Sequence, residues 1–198
     1  MKNIADYARA AAELFSERPP GAVDSLVFSQ LSYLDFSGFA AGPADPGVTV
    51  RLGAAADKRN HDALVRAAFK KRQNKKLLDA VAASRRFRDV RLCCYSEKLD
   101  FEKEGQFSAV AFLLDDGASY IAFRGTDMNF VGWKEDLNMA FTSPVPAQEE
   151  GLAYLNAVGR LLPGPLIAGG HSKGGNIAVY AAMKCDRDIR QRLTAVYS

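Results

Sequence analysis

A short run with a serine between glycines, Gly170-His171-Ser172-Lys173-Gly174, constrains the fold more than any other part of the sequence. The apolar residues 166–168 precede it, and residues 176–182, which have a helical composition, follow it. Small residues let a strand and a helix cross closely, and the turn between them holds its central residue in a strained, exposed position. The pattern therefore predicts a strand, a sharp turn with Ser172 at its tip, and a helix from about residue 173 to residue 184.

A serine at the tip of such a turn is a candidate nucleophile. The helix that starts beside it presents unpaired N–H groups to a developing oxyanion, and the N–H of Lys173 is the expected first donor. Two other interpretations remain: a turn that only packs tightly, or a loop that cradles a phosphate. A phosphate loop needs Lys followed by Ser or Thr, and Lys173-Gly174 does not provide that spacing.

A second segment, Tyr120 to Asp127, has the composition of a strand that runs into a glycine-containing loop. In folds that carry a serine turn of this kind, such a loop gives the second oxyanion N–H. Trp133 and Asp136 follow at a spacing of three residues, so they share a face of the helix predicted over 131–141. Alternatively, Trp133 is a packing aromatic and Asp136 belongs to a local ion pair.

The remaining pattern predicts a helical N-terminal region followed by strands that alternate with helices. Alternation of this kind favours an α/β fold with a mostly parallel sheet covered by helices on both faces. An Asp-Asp-Gly turn signal at 115–117 indicates a hairpin between two of the strands. We predict helices over 2–16, 24–33, 57–84 and 148–162, a loop over 41–48, and strands over 89–96, 107–114, 119–123, 166–169 and 194–197.

Several of these motifs together resemble known families. Phe123-Arg124-Gly125-Thr126, Trp133-x-x-Asp136-Leu137 and Gly170-His171-Ser172-x-Gly174-Gly175 resemble the class-three (fungal-type) lipases. Residues 23–36 and 170–182 resemble the Mbeg-like lipase-related family, a bacterial branch of α/β-hydrolases. The resemblance covers nearly the whole chain and implies an α/β-hydrolase fold.

The resemblance also implies roles for the matching residues. Ser172 is the expected nucleophile, and Thr126 is expected to donate to the oxyanion through its backbone N–H, with its hydroxyl group as a further candidate donor. Asp136 is expected to orient the Thr126 hydroxyl or to pair with Arg124. The implied activity is that of a lipase or esterase acting on a small-molecule or lipid ester, with thioesters and amides left open. Serine hydrolysis needs no cofactor.

The partners of a catalytic serine do not follow Ser172 in this sequence. The expected order is Ser, then Asp or Glu, then His, but after Ser172 only Asp186 and Asp188 occur, with no histidine. His171 should point away from the nucleophile, and His61 is expected at the surface. We therefore expect one domain, 1–198, that is the front part of a longer hydrolase, with a helical lead-in over 1–85 and the sheet, oxyanion loop and serine turn over 86–198. The alternative is a non-catalytic, hydrolase-like binding domain or an inactive fragment, and without the base these 198 residues alone are expected to be nearly inactive.

Charge and composition narrow the choice of partners. The chain has 26 basic and 23 acidic side chains and a net charge of +3, which is too balanced to indicate a nucleic-acid partner. The basic run Lys70 to Lys76 could bind an anionic partner, but a solvated helix face is the expected interpretation. Without a signal peptide or a bilayer-spanning stretch, we expect a cytoplasmic protein with no stable membrane insertion.

The three cysteines do not form a disulfide framework. Cys93 and Cys94 are adjacent, and on a regular strand their side chains would point to opposite faces, while Cys185 lies far along the chain. Reduced thiols are the expected state. The sequence has two histidines and no metal-ligand spacing, so we predict no metal site.

Overall fold

The computed structural model describes residues 3–100, 105–126 and 141–198, without the side chain of residue 100. These residues form a six-stranded sheet in which the strands lie side by side in chain order. Helices cover the sheet, so the predicted combination of a sheet and surrounding helices is confirmed. The strands are β1 (Val50–Arg51), β2 (Arg91–Asp100), β3 (Gly105–Leu113), β4 (Ser119–Phe123), β5 (Leu166–Gly170) and β6 (Leu193–Tyr197).

The sheet is mostly antiparallel, so the predicted mostly parallel sheet is wrong. Strands β1 to β4 pair antiparallel, and only the β4–β5 and β5–β6 pairs are parallel. The connections explain this difference. Short links join β2 to β3 and β3 to β4, and a parallel pair needs a crossover of a dozen residues or more. The predicted hairpin is confirmed, since Leu113 pairs with Ser119 across the turn.

The helices agree with the sequence prediction near the serine turn and differ from it earlier in the chain. The predicted helix over 57–84 is broken, because Lys70 has left-handed backbone angles, with φ 55° and ψ 51°. The predicted helix over 2–16 ends at Ala10. The helix predicted over 131–141 lies outside the described residues, except for its last position. The described helices are α1 (Ile4–Ala10), α2 (Ala22–Leu31), α3 (Leu52–Ala55), α4 (His61–Leu64), α5 (Lys71–Ala83), α6 (Pro146–Leu161), α7 (Lys173–Lys184) and α8 (Arg187–Arg190), with a 3-10 turn at Lys58–Asn60.

Two hydrophobic cores lie on the two faces of the sheet, as the central strand β4 illustrates. Its five residues are all buried, as expected for a strand covered on both faces. Tyr120 and Ala122 face the core formed with the N-terminal helices, whereas Ile121 and Phe123 face the core formed with α6 and α7. Helices therefore cover both faces, as predicted.

A fully buried ion pair fastens the N-terminal segment to the rest of the fold. The Arg86 Nε donates to Asp24 Oδ1 at 2.8 Å, and Arg86 Nη2 donates to Asp24 Oδ2 at 2.9 Å, with neither side chain exposed. The Tyr7 hydroxyl donates to the same carboxylate at 2.9 Å. The guanidinium also lies 3.9 Å from the centre of the Phe15 ring. It donates further to the carbonyl oxygens of Glu13, Leu14, Arg18 and Pro19.

The adjacent cysteines lie in one core, so the prediction that they point to opposite faces is wrong. Cys94 has a positive φ of 55°, and the β2–β3 register shifts between Cys93 and Ser96. This bulge interrupts the alternation of side chains, and both thiols enter the core beneath α6. The hydrogen bond with the Cys94 thiol, together with burial, raises the pKa of Cys93.

Burial should keep all three thiols unreactive in the folded protein. Cys93, Cys94 and Cys185 are free and buried, and the thiolate is the reactive form of a cysteine. Titration of the native protein with Ellman's reagent should give a slow reaction, and unfolding in guanidinium chloride should release three equivalents. Rapid reaction of any thiol in the native protein would contradict the packing of the core that contains all three cysteines.

Among the described residues, no helix combines the length and the apolar composition needed to cross a membrane.

Candidate active site

Ser172 lies in a sharp turn between β5 and α7, where the sequence predicted it. Its backbone angles are φ 58° and ψ −127°, a combination that residues with a side chain rarely adopt. Strand β5 ends at Gly170 and helix α7 begins at Lys173, so only two residues make the turn. The serine is exposed. The described structure thus has the predicted strand, turn and helix, with the helix ending at the predicted residue 184.

Glycines allow the end of β4 to pack directly against this turn. A Cβ atom on Gly174 would lie 2.2 Å from the Phe123 carbonyl oxygen, and one on Gly125 would lie 2.5 Å from the His171 carbonyl oxygen. Real Cβ atoms do not approach backbone atoms so closely, which means that neither position accepts a side chain without movement. The loop that starts at Gly125 is therefore held against the residue that precedes Ser172.

Lys173 contributes its two polar groups to different parts of the molecule. Its side chain is buried, and Nζ donates to the Gln106 carbonyl oxygen on β3 at 3.1 Å. Its backbone N–H belongs to the first residue of α7, directly after Ser172. The ammonium group therefore binds to strand β3 of the sheet. The donor that Lys173 places next to the serine is its backbone N–H.

Arg124 is buried at the end of β4 and pairs with a residue that the sequence analysis did not identify. Its Nη1 donates to Glu97 Oε1 at 2.8 Å, and the Tyr95 hydroxyl donates to Glu97 Oε2 at 2.9 Å. Burial, followed by the Glu97 charge, raises the pKa of Tyr95, which keeps the phenol protonated as a donor. Trp133 and Asp136 lie outside the described residues, so the predicted contact between Asp136 and Thr126 or Arg124 stays a prediction.

A cavity of about 640 Å³ connects the serine turn to the N-terminal helices. One wall contains Ser172, His171, Thr126 and Arg124, so the structure brings together these residues from separate motifs. The other wall comes from residues 3–5, Gln30, Tyr33 and residues 67–77. Of these, the sequence analysis considered only the basic run Lys70 to Lys76 for binding, and it expected a solvated helix face there. A volume of this size is typical of small-molecule pockets.

A buried amide fixes the wall opposite Ser172. Asn74 is 2% exposed; its Nδ2 donates to the Phe69 carbonyl oxygen at 2.8 Å, and its Oδ1 accepts from Gln30 Nε2 at 2.9 Å. These bonds tie the start of α5 to α2 and to the bend that contains Lys70. A clue was present in the sequence, because Asn74 is four residues from Leu78 and seven from Val81, on the apolar face of the helix.

The histidines and aspartates that were considered as partners of Ser172 occupy different places. The predicted surface position of His61 is wrong, because this residue is buried. Its Nε2 lies 3.0 Å from the Ala56 carbonyl oxygen, outside the cavity lining. His171 lines the cavity beside Ser172. Asp186 and Asp188 both pair with Arg160 beyond the opposite end of α7, roughly 18 Å from the serine turn along a helix of 12 residues.

Comparison with known proteins gives one match. Residues 81–198 match the family model described as Mbeg1-like. No curated protein matches the chain, and no solved structure matches it. The matched residues include β2 to β6 and the wall of the cavity that contains Ser172, whereas the opposite wall precedes them. Because the match covers more than half of the sequence, the chain belongs to the Mbeg1-like family.

Proposed function

We propose that this protein is a serine hydrolase of the α/β-hydrolase type, related to lipases, that cleaves carboxylic esters with Ser172 as the nucleophile. The observation that carries the proposal is the conformation of Ser172, an exposed residue at φ 58° between a buried strand and the first turn of a helix. Strained backbone at a non-glycine residue persists where the surrounding structure enforces it, and such residues cluster at active sites. The cavity beside Ser172 gives an ester room to bind.

In the proposed reaction, the Ser172 Oγ attacks the ester carbonyl carbon. A bond forms between Oγ and that carbon, the ester C–O bond breaks, and the serine proton leaves with the alcohol. Water then cleaves the acyl-enzyme, which releases the acid and restores the hydroxyl group. We assign the developing oxyanion to two backbone N–H groups: that of Lys173, the residue directly after the serine, and that of Thr126, which lines the cavity.

Two further groups complete such a reaction: a general base for the serine proton and a carboxylate that orients the base. We assign neither histidine of this chain to the base. The His61 ring contacts the Ala56 carbonyl oxygen outside the cavity, and His171 immediately precedes the nucleophile. Asp186 and Asp188 are engaged with Arg160, and we do not assign either of them as the orienting carboxylate.

Covalent labelling tests the proposal directly. The full-length protein should react with a fluorophosphonate probe, because an activated serine attacks phosphorus as it attacks a carbonyl carbon. Ser172→Ala should lose the label, whereas Ser37→Ala, which removes another exposed serine, should keep it. Peptide mass spectrometry should place the adduct on Ser172.

Equal labelling of the wild-type protein and Ser172→Ala would show that Ser172 is not the reactive residue. No labelling of the folded wild-type protein would favour the second candidate, a hydrolase-like domain that binds a ligand in the same cavity without cleaving it. The location of Asp186 and Asp188 favours this candidate, since both pair with Arg160 beyond the far end of α7 and neither lies beside Ser172.

A further inference from the structure

The charged residues that line the cavity carry one sign. Among the described lining residues, Lys70, Lys76 and Arg124 are basic, and no aspartate or glutamate is present. Glu97 compensates Arg124 through the 2.8 Å ion pair. Within the part of the chain that the structure describes, neither Lys70 nor Lys76 forms an ion pair. The two lysines therefore leave the cavity with uncompensated positive charge.

An apolar surface adjoins these charges. Phe69 lines the cavity with 55% of its surface exposed, an unusual position for a large aromatic side chain. The Lys70 Nζ lies 5.4 Å from the centre of the Phe69 ring. Ile4, Ala5 and Leu77 add further apolar side chains to the lining of the cavity that contains Ser172. A ligand that covers this wall thus meets a hydrocarbon surface and an ammonium group side by side.

Within the basic run Lys70 to Lys76, the fold places only Lys70 and Lys76 in the cavity lining and leaves the other basic residues outside it. Lys76 and Leu77 line the cavity, but Lys71 and Arg72 are exposed outside it. Lys75 pairs with Asp62. The run that the sequence predicted as a solvated helix face is exposed for the most part, and two of its lysines also belong to the cavity that contains Ser172.

We propose that the ligand of this cavity is an ester with an apolar chain and a negatively charged group, such as a phosphorylated acyl ester. The apolar chain lies against Phe69 and Leu77, and Lys70 and Lys76 bind the anion. Lysine is a point charge that suits phosphate oxygens without requiring a planar partner. The identity of this ligand as a substrate rests on the proposed role of Ser172.

Binding to the full-length Ser172→Ala protein tests the charge preference without any turnover. The probes are 1-octanoylglycerol 3-phosphate and 1-octanoylglycerol, which differ only by the phosphate group and are used as monomers. Isothermal titration calorimetry at low salt should give a dissociation constant about tenfold lower for the phosphorylated probe. The difference should shrink at high salt, because exposed charges are screened.

Two charge-reversed variants test which basic residues cause the preference for the phosphorylated probe. Lys70→Glu/Lys76→Glu should abolish it, whereas Lys71→Glu/Arg72→Glu, with the same change of net charge in the same segment, should retain it. Lys70→Gln/Lys76→Gln provides a second variant if charge reversal affects folding, as checked by circular dichroism. Equal binding of both probes, or loss of preference only in the Lys71→Glu/Arg72→Glu protein, overturns the proposal.

The labelling experiment separates this inference from the proposed function. A preference that depends on Lys70 and Lys76 supports the charged ligand whether or not Ser172 reacts with the fluorophosphonate. If Ser172 reacts but both probes bind equally, the hydrolase proposal stands and the charged ligand is wrong. The two proposals therefore fail independently.

Discussion

Gly174→Ala is expected to destabilise the protein by about 3 kcal/mol and to remove fluorophosphonate labelling of Ser172. The new Cβ atom would lie 2.2 Å from the Phe123 carbonyl oxygen and 3.0 Å from the Gly125 nitrogen. Both are backbone atoms of the β4 end, so no side-chain rotation can relieve the contact. The turn must move away from β4, and this separates Ser172 from the loop that contains Thr126. Urea unfolding measures the first effect, and labelling of the folded fraction measures the second.

Gly47→Ala is the matched control for this substitution. A Cβ atom on Gly47 has no heavy atom within 4 Å among the described residues, so the same chemical change meets open space there. We expect its free energy of unfolding to stay within about 0.5 kcal/mol of the wild-type value. If both alanine variants were equally stable and equally labelled, the close packing of β4 against the serine turn would be disproved.

Arg86→Met should cost about 3–5 kcal/mol of stability, because it leaves the fully buried Asp24 carboxylate without its main partner. It also leaves several carbonyl oxygens of residues 13–19 without the guanidinium donor. A loss of this size is a large share of the stability of a typical domain. Urea unfolding of the variant should show a much lower midpoint.

Arg85, the residue before Arg86, provides a control, because its substitution also removes an arginine ion pair. Arg85 pairs with Glu17 at 2.9 Å, but both side chains are about half exposed. Exposed ion pairs contribute little, because water and salt screen them. Arg85→Met should therefore leave the unfolding midpoint nearly unchanged. Similar losses for the Arg85 and Arg86 variants would show that burial of the Arg86–Asp24 pair does not govern its contribution.

Local patterns explain why the serine turn could be predicted so closely. The apolar strand, the glycines and the helix occupy about twenty consecutive residues, and each of them depends mainly on its sequence neighbours. The structure accordingly has helix α7 at Lys173–Lys184, as predicted. The direction of the strands was predicted less well. It depends on the length of each connection, and the links from β2 to β3 and from β3 to β4 are too short for a crossover.

Contacts between distant segments account for most of what the sequence did not reveal. The wall opposite Ser172 comes from residues about 95 to 170 positions earlier in the chain, and no spacing rule connects them. The partner of Arg124 was missed for the same reason, since Glu97 lies on β2. No glycine near Cys94 indicates a bulge in the sequence, so the sequence predicted a strand without one.

The cavity has two walls of separate origin along the chain. Ser172, Thr126 and Arg124 belong to the part that matches the family model, whereas Phe69 and Lys70 come from residues that precede it. Exposed residues of the earlier segment, such as Phe69 and Lys70, therefore shape the cavity from outside the part of the chain that the family model matches. In evolutionary terms, exposed residues among the first eighty can drift and change the surface of the cavity while the serine turn is inherited unchanged.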